Sequence, residues 1–415
     1  MCLLALVSVT WTCRAEIVDD ILSHVPSSPY SYAGMLNKLA SLQKSNRITI
    51  TRIGRSAQGR DLLAVAVHDP ATVFGQGARL FVIARQHGNE TSGTEAALAL
   101  LHHFATSQGE LERNILQHLT IVCVPMANPD GAEAGRRRNA RDVDLNRDWA
   151  SRSQPETAAL EQAVRAWKPH AVMDLHELPQ SAPKPAYEEN FIETIGSGGG
   201  IPQAVSDHTV GTAGELSKWL KAYGYRSNIY YDGPSQSRSL CHRWFGLYHS
   251  IPSFLVEVKT GPGRSLRSRT AVHVLSVLVV ANHLAHTFGT TNPVLVASAP
   301  PAQASVQRPA QRPTTTGGPV SVALRTDQEL GESAGGPLEI EAVVGGGPSG
   351  RYVRFYVDGR LWLLSNSEPY RCSLDGEEFD EGEHRVQVEV LGDNGQVIAQ
   401  TERTVRVDES MVAGE

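Results

Sequence analysis

Between residues 31 and 288, apolar β-type runs alternate with helix-period runs, and no other feature constrains the fold as tightly. Ile48–Ile53 and Leu62–His68 flank the turn residues Ser56–Gly59, which is the pattern of a hairpin. Further strands are expected at 79–85, 119–125, 170–175 and 253–258. Helices are expected at 31–43, 93–106, 155–167, 212–223 and 268–287, with Pro155 suited to a first turn and Ser153 near its cap. Leu119–Pro125 is mostly apolar without alternation, as in a strand buried on both faces. Strands alternating with helices predict an α/β fold, a largely parallel or mixed sheet covered by helices. Residues 178–211 are rich in Pro, Gly and Ser and are expected to form a long functional loop over the sheet edge.

Composition changes at residue 289. Residues 289–319 read as an extended Pro-rich linker. Short alternating segments follow: Val320–Arg325, Leu338–Val344, Tyr352–Val357, Arg360–Leu364 and His384–Val390. Asp358-Gly359 and Asn394-Gly395 are hairpin-turn pairs. With no helix-period stretch, residues 320–408 are expected to form a small β-sandwich of the immunoglobulin-like kind, ahead of a tail at 409–415. Tyr352–Arg360, Pro369-Tyr370 and Gly382–Val386 resemble the Ig-like modules appended to many exported bacterial enzymes. Such a module is a binder of polysaccharide or of the cell surface, or a spacer.

Residues 1–15 are apolar but too short to span a bilayer. They resemble a secretory signal truncated of its basic start, so export to the periplasm or the exterior is expected, with no membrane span. The catalytic part would then be 16–288. The formal charge of -6 excludes a general affinity for nucleic acid. The clusters Arg136, Arg137, Arg138 and Arg264, Arg267, Arg269 therefore need local explanations. Of five cysteines, Cys2 and Cys13 would leave with a signal. Cys123, Cys241 and Cys372 have no ligand spacing and read as buried or free thiols.

Four short motifs carry chemistry. His87-Gly88-Asn89-Glu90 lies between a strand and a helix, where an imidazole and a carboxylate can reach one metal ion, although on this segment alone a surface His beside a first-turn Glu is the plainer reading. Asp144, Asn146 and Arg147 follow the turn Asn128–Gly131. Arg offers a planar fork and Asn a further donor to a carboxylate, while a solvated basic loop is the plain alternative. Asp174 and His176 end the next strand, on one face of it. Glu257 sits in the apolar run Pro252–Val258, where a carboxylate costs free energy unless it is paired or its pKa is raised, and a raised pKa suits a general base. His102, His103, His118, His208, His242 and His249 fit a metal site less well.

Together, and in this order, these motifs resemble the zinc carboxypeptidase family that contains pancreatic carboxypeptidase A, over about residues 17–288. The resemblance implies a three-layer α/β/α sandwich with a mixed sheet. It implies one zinc ion held by His87, Glu90 and His176, with Asp144 orienting His87 from behind. It implies Asn146 and Arg147 as the site for a peptide's free C-terminal carboxylate. Arg137, or Arg138 one register on, would polarise the scissile carbonyl, and Glu257 would be general base and acid. Tyr230 and Tyr231 lie where animal members carry a capping tyrosine, and neither aligns uniquely. Small-molecule N-acyl amino acid deacylases of the succinylglutamate desuccinylase and aspartoacylase type share these zinc motifs and are the alternative.

Overall fold

The computed structural model describes residues 11–72, 77–179, 190–196, 201–233, 237–288, 320–326, 338–346, 351–366, 368–374, 379–392 and 395–407. The linker at 289–319, the tail at 409–415, residues 1–10 and Asn394 lie outside them. The elements in chain order begin α1 Trp11–Ser23, α2 Tyr32–Leu42, β1 Ile48–Arg55, β2 Asp61–Val67, β3 Ala78–Ala84, α3 Ser92–Thr106, α4 Glu110–His118 and β4 Leu119–Val124. Next come α5 Pro129–Glu133, α6 Pro155–Trp167, β5 Ala171–Leu178, β6 Asn190–Ile195, α7 Gln203–Ala222 and β7 Ser227–Asp232. The short helix α8 Cys241–Arg243 continues into a π turn before β8 Ser253–Lys259 and α9 Leu266–Phe288. Among the described residues only strands follow: β9 Ser321–Thr326, β10 Leu338–Gly345, β11 Tyr352–Val357, β12 Arg360–Ser365, β13 Tyr370–Leu374, β14 Gly382–Leu391 and β15 Val397–Val407.

These elements form two compact units, Met1–Pro179 with Ser237–Pro300, and Gln180–Gln236 with Pro301–Glu415. In the first, strand order is β1-β2-β4-β3-β5-β8. The hairpin β1–β2 and the pair β2–β4 are antiparallel, while β3–β4, β3–β5 and β5–β8 are parallel. This is the mixed sheet expected. β4 is buried at every position, as its unbroken apolar run requires. One face is covered by α3 and α9. The other packs Phe81, Ile83, Val122 and Val172 against Leu160 and Val164 of α6 and against Trp149 and Phe245. α9 is long and apolar enough to cross a membrane, but 67% of that stretch is buried within the fold, where it packs on α3, α1 and β3. Cys123, Cys241 and Cys372 are buried and in no disulfide, and burial pushes the Cys123 thiol up to about 12.

The sheet order places the site. From β3 the chain moves to β4 on one side and then returns to β5 on the other. Connections that diverge in this way open a crevice at the carboxyl ends of the two central strands. His87 follows β3, and His176 lies at the end of β5.

In the second unit, β6 and β7 are parallel, β7 pairs antiparallel with β12, and β11, β14 and β15 follow. A separate antiparallel sheet is ordered β13-β10-β9, so the described residues of the C-terminal region are all-β. The Asp358-Gly359 turn has both residues at positive φ, as a tight hairpin needs. Residues 178–211 are not one long loop. Asn190–Ile195 is a strand buried at every position, and α7 begins at Gln203. Most of the Pro and Gly that suggested a loop flank these elements, and Gly211 lies inside α7 without breaking it.

Candidate metal centre

The loop after β3 is held in one shape by backbone geometry. Arg85 sits at φ 60°, a conformation that costs a non-glycine residue free energy. Its guanidinium offsets that cost, donating from Nε to the Gly88 carbonyl at 2.9 Å and from Nη1 to the Tyr30 carbonyl at 2.8 Å. A side chain at Gly88 would stand 2.1 Å from the Gly131 carbonyl carbon, so only glycine lets α5 come this close. Asn128 ties the two loops together by donating from Nδ2 to the carbonyls of Gln86 at 3.0 Å and Arg137 at 3.2 Å. Glu90 precedes the helix. The N-terminus of α3 is instead capped from β5: Thr91 N and Ser92 Oγ donate to the Glu177 carboxylate at 2.7 and 2.6 Å, and Arg269 pairs with it.

His87, Glu90 and His176 converge, each offering one ligand atom, with all three atoms within 4.8 Å of one another. His87 Nδ1 is 2.7 Å from Glu90 Oε1, His176 Nδ1 is 2.8 Å from Glu90 Oε2, and the two Nδ1 atoms are 3.0 Å apart. All three side chains are buried. Both outward Nε2 atoms meet a carboxylate, Asp144 Oδ1 at 3.0 Å for His87 and Asp174 Oδ2 at 2.9 Å for His176. This is how proteins orient metal-bound imidazoles, with the outer N–H anchored and the inner nitrogen's lone pair free.

The electrostatics agree. Burial pulls the His176 imidazole toward neutrality, but the Asp174 and Glu90 carboxylates outweigh it and raise the pKa well above the usual value. His87 is raised against its own burial by Glu90 and Asp144. Burial also works against ionised Glu90, yet the two imidazoles hold its carboxyl well below the usual range. The pocket therefore favours positive charge at its centre, as a divalent cation would supply. Two imidazoles and one carboxylate form a borderline-soft donor set suited to zinc and leave room for a fourth ligand.

Around this centre, Arg137 reaches in. Its Nε donates to Asp144 Oδ2 at 2.9 Å, and its Nη1 to Glu90 Oε1 at 3.3 Å, while 42% of the side chain remains exposed. Arg138 turns away to the Asp142 carbonyl, and Arg136 to that of Asn139. Asn146 is buried; its Oδ1 accepts from Cys241 N at 2.9 Å and its Nδ2 stands 3.2 Å from His176 Nε2. Arg147 is exposed at the end of the 3-10 turn Leu145–Arg147, which Asp144 caps. Glu257 is half-buried and lies directly beside His176 in the β5–β8 register, so the two side chains share a sheet face.

Several residues lie elsewhere. His103 is held between Asp20 and Glu112 at 2.7 Å each, and His102 is beside Lys38. Tyr230 and Tyr231 are buried in β7. His273, which sits in the apolar helical run of α9 and carries no sequence signal, lies near the metal group. Burial, with the His176 charge close by, pushes it down to about 3, so it is a neutral neighbour.

A buried His-Glu-His group at a sheet's topological switch point has the donor set of a metal-binding site. Residues 35–194 match the family model for zinc carboxypeptidases. Carboxypeptidase 2 of Trichophyton tonsurans is 31% identical over 99 residues, 24% of this chain and 18% of the relative. Mouse carboxypeptidase D is 31% identical over 144 residues, 28% of this chain and 10% of the relative. The matched stretches are thus a small part of these longer proteins. The solved metallo-carboxypeptidase of Burkholderia cenocepacia shares the fold at a TM-score of 0.51 and 20% identity, over 61% of this chain and 70% of that one. The Pseudomonas aeruginosa metallo-carboxypeptidase bound to (2-guanidinoethylmercapto)succinic acid gives 0.51 and 22%, over 62% and 70%.

Proposed function

We propose that this protein is a zinc-dependent metallocarboxypeptidase that hydrolyses a C-terminal amide bond of peptides. The observation that carries the reading is the convergence of His87 Nδ1, His176 Nδ1 and the Glu90 carboxylate, with each outer imidazole nitrogen anchored on its own aspartate. One zinc ion held there supplies Lewis-acid polarisation of the scissile carbonyl and of a water molecule. Glu257, beside His176 in the register, takes the proton of the attacking water and passes it to the leaving amine. The Arg137 guanidinium, fixed by Asp144 and still partly open to solvent, stabilises the developing oxyanion. Its bond to Asp144 and the turning away of Arg138 support Arg137 in this role. Arg147 is exposed at the rim and offers its fork to the substrate's terminal carboxylate. Asn146, whose Oδ1 is held by Cys241 N and whose Nδ2 stands 3.2 Å from His176 Nε2, assists it from beside the metal group.

The deacylase reading uses the same metal group, and the curated carboxypeptidase relatives support the peptidase. Purified protein should be assayed with C-terminal-variant peptides, muropeptides and N-acyl amino acids, with and without chelator. Chelator-sensitive release of a C-terminal residue is the expected result, and turnover of acyl amino acids alone would sink the peptidase reading. We also propose that the protein is exported and that residues 320–408 form an Ig-like module facing polysaccharide or a cell surface. Pull-down on insoluble polysaccharide with and without residues 320–415 tests the second point.

A further inference from the structure

Behind His176 runs a chain of buried side chains that the catalytic roles above do not use. Trp149 Nε1 donates to Gln86 Oε1 at 2.8 Å. Gln86 Nε2 donates to Asp174 Oδ1 at 2.7 Å, and Asp174 Oδ2 faces His176 Nε2 at 2.9 Å. Trp149, Gln86, Asp174 and His176 are each 0% exposed, so water cannot substitute for any link. Cys241 reinforces the same carboxylate. Burial, and after it the nearby Asp174 charge, push its thiol well above the usual range, so it stays a protonated donor to Asp174.

The order of donors is fixed as far as Asp174. An indole N–H can only donate, so the Gln86 oxygen must face Trp149. The Gln86 amide hydrogens must then face Asp174, and they too can only donate. Asp174 Oδ1 is thereby occupied, and Oδ2, with no hydrogen-bond partner of its own, stands 2.9 Å from His176 Nε2 as its ion-pair partner and favours the proton there. With the proton on Nε2, a neutral His176 carries its lone pair on Nδ1, the atom that points at Glu90 and His87. A flip of the ring would take Nε2 away from that carboxylate, and leaving a buried polar group without its partner costs about 1–3 kcal/mol.

We propose that Trp149 and Gln86 are positioning residues for the metal centre, setting through Asp174 the tautomer and orientation in which His176 presents its ligand nitrogen. The competing account is that both are ordinary core residues whose polar atoms happen to be satisfied. The inference rests on the reading that His87, Glu90 and His176 hold zinc, and the test separates the two.

Zinc affinity is measured by chelator competition on the full chain as wild type, Trp149→Phe, Gln86→Leu and Phe245→Leu, with melting temperatures of the metal-free forms. The cobalt-substituted absorption spectrum is recorded for each. Phe245 is the packing control, because its ring meets Trp149 edge-on at 5.1 Å and takes no part in the chain. Trp149→Phe keeps most of the core volume and removes only the donor, so it carries the test if Gln86→Leu fails to fold. We expect Trp149→Phe and Gln86→Leu to bind zinc about tenfold more weakly, the lower end for groups behind a metal ligand, with an altered cobalt spectrum. Phe245→Leu is expected to melt earlier but bind zinc within about twofold of wild type, too small a loss to reflect a group behind a metal ligand. Wild-type affinity and spectrum in Trp149→Phe, or an equal loss in Phe245→Leu, overturns the inference. Failure of the wild type itself to take up zinc overturns the metal reading instead.

Discussion

Asp144→Asn is the most informative single change at the centre, because Asp144 serves three partners at once. Its Oδ1 accepts from Asn146 N at 3.0 Å and faces His87 Nε2 at 3.0 Å, while Oδ2 accepts from Arg137 Nε at 2.9 Å. Asparagine keeps the size and one oxygen. If that oxygen stays with His87 and Asn146, the new amide group points its hydrogens at the Arg137 donor, and the ionic hydrogen bond is lost. If the amide turns the other way, its hydrogens face His87 Nε2, and the imidazole must move its proton to Nδ1, the atom needed by the metal. Either outcome also removes the negative charge that, with Glu90, favours a cation at His87. Loss of such an outer partner weakens metal affinity by about 10–100-fold, or about 1.4–2.8 kcal/mol. Zinc competition should therefore show a dissociation constant raised within that range. At saturating zinc, kcat/KM should stay depressed, because Arg137 has lost its anchor. Zinc affinity within about threefold of wild type, outside the range for such partners, would show that Asp144 does not orient His87.

Glu257→Gln should lower kcat by about 10²–10⁴-fold while leaving zinc content unchanged, as measured by single-turnover assay and metal analysis. Arg137→Ala should cost about 10²–10³-fold in kcat, whereas Arg138→Ala, whose guanidinium bonds the Asp142 carbonyl, should leave the kinetics intact. Stability should depend on Glu95, whose carboxyl burial pushes from 4.5 to about 7. The folded chain holds a proton there that the unfolded chain releases. Stability is therefore lost as pH rises from about 4.5 to about 7, by up to about 3 kcal/mol, and is flat above. Urea unfolding of Glu95→Gln at pH 5 and pH 8 should show that slope reduced, and an unchanged slope would assign it to other groups. Cutting at a protease site engineered into residues 289–319 should leave the two pieces associated on a sizing column. Leu363–Ser365 pairs with Asn228–Tyr230, and Asn366 Oδ1 accepts from Ser227 N at 3.0 Å.

The metal group was legible in the sequence because metal chemistry restricts both residue type and place. Imidazoles and carboxylates at the ends of apolar strands can be found without coordinates, and the strands at 79–85, 119–125, 170–175 and 253–258 were marked by apolar runs that few other structures tolerate. β6 and β7 were harder to see. Asn190–Ile195 carries Asn190, Glu193 and Thr194 among its apolar residues and is flanked by Pro and Gly, so no period stands out although every position is buried. The pairing of β7 with β12 was equally hidden, because edge pairing depends on backbone groups that every residue possesses.

The sequence by itself determined the chemistry available: which side chains can bind a cation, in what order they arrive, and that strands carry them to one end of a sheet. Tertiary structure decided which atom of each side chain faces inward. Nothing in the order of residues says that Arg137 turns to Asp144 while Arg138 turns to Asp142, or that Gln86 takes its direction from Trp149 sixty-three positions away. Those choices depend on donors and acceptors brought within about 3 Å of one another by packing, and hydrogen-bond direction at that range is a property of the fold.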